Sequence, residues 1–253
     1  MIDWTFILTG MIVFFTFTIE GIAGFGSTIM ALPFVIMLIG LNKAVPLLSS
    51  LNLLLALFLI CRSWRNIDLK EYFFIVVNVS FGVFAGLFFA DYLPQKILIC
   101  VLAFFTVSVG VRGLVLTLKK SNAEDIEVKK SKSFADRLIL FAGGIFQGAF
   151  SSGGPLVVMY AAENIREKAR FRATLPLLWF TTNSIMNIKF IAAGNVWDKM
   201  LLIRFCCALP FIGAGMLFGD YLHWKVEQKK FVLLVYVLLI IVAFILFGNV
   251  FFK

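Results

Sequence analysis

The sequence predicts an all-α polytopic membrane protein made of two inverted repeats, each a broken-helix hairpin with a glycine-rich tip followed by three transmembrane spans. Three observations carry this. Of the 253 residues, 61% are hydrophobic and 15% charged, with mean hydropathy +0.99, whereas a soluble domain is about half apolar and a quarter charged. No water-soluble interior of this size holds so much apolar side chain, 30 phenylalanines included, so lipid must solvate much of it. Glycine-rich breaks interrupt apolar segments at Gly21–Thr28 and Gly144–Pro155, and in a bilayer such backbone is tolerated only where it is buried in protein or lines a polar cavity. Short motifs also recur in order. Gly86 with Asp91-Tyr92-Leu93 returns as Gly215 with Asp220-Tyr221-Leu222, Asn66-Ile67 as Asn195-Val196, Pro46 as Pro176 and Gly21 as Gly144.

Each element follows from this frame. The first segment, about 4–20, has no basic n-region, follows Asp3 and runs into Glu20-Gly21 rather than a cleavage site. It therefore reads as a retained hairpin limb and not a signal peptide. The return limb, about 26–41, contains Pro33 and is shorter than the ~20 residues of a full span. Segments at about 44–61, 71–92 and 95–118 complete an N-terminal repeat, 1–118. A charged linker, 119–137, follows. The C-terminal repeat, 138–253, has limbs at about 138–149 and 154–163 around the second break, then segments at about 174–194, 200–221 and 230–252.

Loop charge sets the orientation. With the linker in the cytoplasm, the loops bearing Arg62, Arg65 and Lys70, then Arg166, Lys168, Arg170 and Arg172, then Lys225, Lys229 and Lys230 also fall inside. Lys43, Lys96, Lys199 and Lys253 fall outside. The bias matches the positive-inside rule and accounts for the net charge of +9 without nucleic acid. Both termini are then outside, provided each break is a hairpin tip that returns to its starting side. The first hairpin enters from outside and the second from the cytoplasm. Three spans follow each, so the repeats are inverted, an architecture of many secondary transporters, and the two tips approach each other within the membrane.

A GxxGFG-like break near the N-terminus, a GxxxGxxSxGGP-like break after a basic linker and a duplicated unit together resemble the TauE/SafE-like permeases, the TSUP or sulfite exporter family. The resemblance covers most of the chain. It implies a multi-pass protein of the bacterial or archaeal inner membrane that moves sulfite, sulfonates or similar small organosulfur or carboxylate anions. It implies coupling to an H+ or Na+ gradient and no cofactor. The expected partners are that anion and the lipid bilayer, with a homodimer as an oligomeric option. Members differ in substrate and in direction of transport.

The breaks suit anion binding. Helix N-termini expose unpaired N–H groups and a positive dipole end. Ser151-Ser152-Gly153-Gly154-Pro155 is a good helix start, with a capping serine or glycine and proline in the first turn. Gly24, Phe25, Gly26, Ser27 and Thr28 offer the counterpart in the first repeat. Close helix packing by small residues is the competing reading for these glycines. Asn52 and Asn183 occupy nearly the same repeat position, and Gln147 lies inside the second break; amides supply both donor and acceptor. Interhelical hydrogen bonding is the alternative role, and it is favoured for Asn78 and Asn187. Glu20 is a membrane carboxylate and so a coupling candidate. Lys189 shares a helix with Asn183 and is a second candidate. Arg112, Lys189 and Arg204 all lie near enough to segment ends to snorkel. Cys61, Cys100, Cys206 and Cys207 have no metal-ligand spacing and read as packing residues.

The leading expectation is a secondary transporter of small sulfur-containing anions working by alternating access, with the anion held at the two opposed breaks near the bilayer midplane. A passive anion channel would share this logic. An intramembrane serine hydrolase using Ser151 or Ser152 needs a general base, and the only histidine, His223, is far from the break. No GxxxxGK[ST] loop is present, which argues against ATP drive by this chain.

Overall fold

The computed structural model describes residues 4–23, 25–119, 133–165, 167–194 and 197–223, with residues 237, 240, 241, 244, 247 and 248. Among them the chain forms α1 (Trp4–Ala23), α2 (Ser27–Ile39), α3 (Leu41–Ser63), a 3-10 turn (Trp64–Asn66), α4 (Leu69–Tyr92), α5 (Gln95–Lys119), α6 (Phe134–Phe150), α7 (Gly154–Asn164), α8 (Lys168–Ala192) and α9 (Lys199–His223). This is an all-α polytopic membrane protein. Most of the linker, both termini, Gly24, Asn195-Val196 and most of the expected segment 230–252 lie outside the described residues.

Among the described residues five helices are long and apolar enough to cross a membrane: α1, α3, α4, α5 and α9. The return limbs are not. α2 has 13 residues and α7 has 11, and at ~1.5 Å per residue they reach only about 20 and 16 Å. The hydrocarbon core is about 30 Å thick, so each hairpin joins a longer limb to one that stops part-way. α8 has the length, 25 residues, but is too polar to count as an apolar span. Its first turns hold Lys168, Arg170 and Arg172, and Asn183, Asn187 and Lys189 follow.

Local chemistry sets the helix starts. The Asp68 carboxylate accepts from the Glu71 N–H at 3.1 Å and opens α4. Ser133 and Asp136 form a reciprocal capping box that opens α6, satisfying two otherwise orphaned donors. Gly40, at φ +78°, permits the sharp reversal from α2 into α3.

The main packings each join a helix before the linker to one after it: α4 with α6, α1 with α9, and α3 with α8. Under the correspondence suggested by the sequence (α1 with α6, α4 with α9), the first two pairs exchange. The α4–α6 contact is backbone against backbone. A Cβ on Gly82 would strike Phe141 O and lie 2.7 Å from Gly144 Cα; one on Gly148 would strike Val83 O. Small residues permit this approach where no hydrophobic drive separates helix from lipid. α3 is the buried centre, with Leu47, Leu48, Leu51 and Leu55 fully enclosed, while Phe73, Phe81, Phe84 and Phe88 of α4 face outward. The polar character of α8 follows from its place. It packs on α3 and α4, so its amides meet protein rather than lipid.

Candidate functional site

The two breaks meet. α1 ends close to Gly26, which is left-handed at φ +105°. α6 ends at Ser151, also left-handed at φ +54° and the one non-glycine residue in that region among those described. Its N–H donates back to Gln147 O at 2.7 Å, closing α6. α7 then starts at Gly154 with Pro155 in its first turn. The first turns of α2 and α7 face one cavity. It is lined by Glu20, Gly26, Thr28 and Ile29 from the first break, Gln147, Ser151, Ser152, Gly154 and Pro155 from the second, and Asn52 and Trp179 from α3 and α8. The cavity leaves about 20 Å³ for the centre of a water-sized sphere, which is room for about one water.

A buried polar chain forms one wall. Glu20 is 3% exposed. Its Oε2 accepts from Ser27 N–H at 2.9 Å and from Ser27 Oγ, and both carboxylate oxygens lie 3.1 Å from Asn52 Nδ2. Asn52 Oδ1 accepts from Asn183 Nδ2 at 3.0 Å. Asn183 Oδ1 accepts from Ser151 Oγ at 2.9 Å, Gln147 Nε2 at 3.1 Å and Ser49 Oγ at 3.1 Å. Gln147 Oε1 accepts from the Gly153 N–H at 3.1 Å. The chain thus joins the two breaks through α3, α8 and α6.

Glu20, Gly26, Thr28, Asn52, Gln147, Ser151, Ser152 and Gly154 line the cavity; Ser27 and Asn183 stand behind it in the polar chain. Gly24 lies outside the described residues, and Phe25 is half-buried next to Gly26 without lining the cavity. Gly153 serves packing: a Cβ there would strike Gly143 O and lie 2.7 Å from Gln147 Cβ. The two helix ends also differ. The expectation gives both to the anion, but at α2 the Ser27 N–H already serves Glu20. A carboxylate at a helix N-terminus satisfies the dipole, whereas at the start of α7 the Gly153 N–H meets the neutral Gln147 amide.

The basic residues lie elsewhere. Lys189 donates to Asp91 Oδ2 at 2.6 Å and Leu87 O at 3.1 Å, tying α8 to the end of α4 rather than lining the cavity. Arg204 does not snorkel. It is 8% exposed, donates to Thr5 O at 2.7 Å, Thr9 Oγ at 2.8 Å and Thr5 Oγ at 2.9 Å, and sits 4.2 Å above the Phe6 ring. α1 presents enough hydroxyl and carbonyl oxygen to hold a guanidinium inside. Arg172 Nη2 donates to Gly21 O at 3.2 Å, so α8 caps the carbonyl end of α1.

Sequence reasoning missed Trp179, Ser49 and Arg172. Trp179 and Ser49 are one turn from Asn183 and Asn52 respectively, so helical spacing from the chosen amides was the available signal. Arg172 carried none beyond its charge. Among the described residues no group of three or more His, Cys, Asp or Glu side chains could hold a metal ion. Tyr160 donates to Glu71 Oε2 at 3.1 Å, and Arg170 pairs with Glu167 at 2.7 Å and Asp68 at 3.8 Å. Beyond the opposite end of α8, Lys43 pairs with Asp198 at 2.5 Å.

A family model described as "Sulfite exporter TauE/SafE" matches residues 9–246. Over 79 residues the chain is 29% identical to the "Probable inner membrane transporter protein TsaS" of Comamonas testosteroni, covering 31% of this chain and 33% of that protein. The match thus spans a third of the relative's length. No solved structure matches.

Proposed function

The chain belongs to the sulfite exporter TauE/SafE family, and from that premise we propose that it is a secondary transporter of small sulfur-containing anions, such as sulfite or a sulfonate, working by alternating access. Family membership supports transport as the activity. The observation that carries the site is the single cavity lined by both breaks. The α7 N-terminus and the Thr28 hydroxyl offer donors there for an oxyanion, and Ser151 and Ser152, whose hydroxyls donate to Asn183 Oδ1 and Phe150 O in this state, supply more once they turn; a helix end binds an anion without a full positive charge. Gln147, Asn52 and Asn183 position those donors. Among the described residues no arginine or lysine lines the cavity, and the reading calls for no direct ion pair. In this reading alternating access opens the cavity to each side of the membrane in turn. In this reading the two halves are inverted repeats, the protein sits in the inner membrane, and the ends bearing Lys43 and Asp198 face outward.

The test is a thermal-shift screen of purified protein against sulfite, thiosulfate, taurine, sulfoacetate and small carboxylates, since a ligand that binds only the folded state stabilises it. Proteoliposome transport of the hits follows. Gly154→Leu has space at the backbone, with Trp179 atoms the nearest neighbours at 3.9 and 4.0 Å, so it should fold, fill the cavity and abolish the shift. A Gly154→Leu protein that binds and transports normally refutes this site.

A further inference from the structure

The amide chain between the breaks has a direction. Every side-chain amide in it donates toward Glu20 and accepts from the other side: Gly153 N–H to Gln147, Gln147 to Asn183, Asn183 to Asn52, and Asn52 to Glu20. The two ends impose this. A backbone N–H can only donate, so Gln147 must present its oxygen; an ionised carboxylate can only accept, so Asn52 must present its nitrogen. The charge on Glu20 therefore sets the orientation of Asn52 and, through it, of Asn183, whose oxygen the Ser151 hydroxyl and the Gln147 amide reach.

From this the geometry points to Glu20 as the proton-binding site of the transporter, coupled to the anion through Asn52, Asn183 and Gln147. The inference rests on the transport reading above and adds its driving ion. With Glu20 ionised, the Ser151 hydroxyl and the Gln147 amide, both lining the cavity, are committed to Asn183 Oδ1. A hydronium that enters the cavity transfers its proton to a carboxylate oxygen; an O–H bond forms, water is left, and Ser27 Oγ accepts the new donor. The acceptor-only end of the chain is gone. Asn52 and Asn183 are then free to reverse, and Ser151 and Gln147 can turn to a cavity oxyanion. The negative charge lining the same cavity has also been removed. Proton and anion thus favour each other, and the linkage is reciprocal.

Among the side chains described, the charged groups on the helices packed around Glu20 are held by other partners. α2 carries no ionisable side chain. On α8, Arg172 reaches Gly21 O, while Lys189 is held by Asp91. On α9, Arg204 is bound to Thr5 and Thr9, about four helical turns away along α1. On α3, Lys43 pairs with Asp198 and Arg62 lies in the last turn. A sodium ion fits poorly: it needs several oxygen ligands, and around Glu20 the Asn52 amide and the Ser27 N–H present hydrogens.

The experiment uses the purified full chain with thiosulfate, isethionate and methanesulfonate, which all stay ionised from pH 5.5 to 8.5. Affinity is measured by thermal shift across that range, and internal pH is followed by a trapped dye while each anion enters proteoliposomes. Wild type should bind more tightly as pH falls, by up to about tenfold per pH unit for one linked proton, and anion entry should acidify the lumen. Glu20→Gln, a neutral stand-in for the protonated acid, should still bind but lose the pH dependence and the proton flux. Anion entry into wild-type vesicles without acidification overturns the inference, even if Glu20→Gln fails to fold. So does a Glu20→Gln protein with the wild-type pH profile, or transport driven by a sodium gradient at constant pH. A wild type that binds neither these three anions nor any anion of the thermal-shift screen above, at any pH, overturns the transport reading itself, and the coupling with it.

Discussion

Replacing Asn183 with leucine tests whether the polar chain holds the two breaks together. The Asn183 amide is 1% exposed and makes four side-chain hydrogen bonds, to Ser49, Gln147, Ser151 and Asn52. The two hydroxyls can rotate to other acceptors. Gln147 Nε2 and Asn52 Oδ1 cannot move as freely, and each buried group left unpaired costs roughly 1–3 kcal/mol. Leucine is close in volume and returns part of this through apolar contact. The expected net loss is about 2–4 kcal/mol in unfolding free energy, together with loss of anion binding. Trp179 lies one turn away on α8, so tryptophan fluorescence during unfolding in detergent is a suitable probe. Thr182→Val is the matched control. Thr182 is equally buried, but its hydroxyl bonds only carbonyls of its own helix, Leu178 O and Trp179 O, and it should cost about 0.5–1.5 kcal/mol at most. An Asn183→Leu protein as stable as Thr182→Val, with normal anion binding, would show that the chain is incidental.

Arg204→Gln should lower stability by about 2–3 kcal/mol, because charged hydrogen bonds to Thr5 and Thr9 are lost in a buried site; unfolding in detergent measures this, while anion affinity of the folded protein stays unchanged. Gly144→Val should prevent α4 and α6 from closing, since even a Cβ would strike Val79 O, and the expected readout is loss of monodisperse protein. The Lys43 hydrogen bond, then the Leu201 N–H, hold the Asp198 carboxyl below its ordinary range. The small stabilisation this brings is complete above that range and is lost as pH falls through the lowered value. Lys43→Ala should flatten the acid limb of a melting-temperature profile slightly, and an unchanged limb contradicts the assignment.

The apolar elements were legible because lipid imposes composition directly. α4, α5 and α9 run close to the ranges set by hydropathy alone. α8 begins earlier than its apolar segment, since Lys168, Arg170 and Arg172 form its first turns, and charge at a helix end leaves no hydropathy signal. The cavity was legible where residue type carried its own constraint: left-handed Gly26, the hydroxyl residue Ser152 inside a glycine run and the paired amides Asn52 and Asn183 stand out in apolar surroundings. Trp179 did not, because an aromatic among so many in a lipid-solvated chain is unremarkable until its neighbours are known. Arg204 and Lys189 were misjudged for one reason. Sequence gives the distance to a helix end, but only packing supplies the threonines of α1 or the aspartate of α4 that keep a cation in place.

The pairing of α1 with α9 also imposes a timetable on synthesis. Thr5 and Thr9 leave the ribosome about 200 residues before Arg204, and at about 5–20 residues per second the first helix waits roughly 10–40 seconds for its partner. During that interval it must stay in lipid or be sheltered by the insertion machinery, its glycine- and threonine-bearing face uncovered. α4 waits less, because α6 emerges soon after the linker. Among the described helices the first one made thus waits longest for its main partner, and a chain stalled before α9 would leave that face of α1 as the exposed surface that quality control can detect.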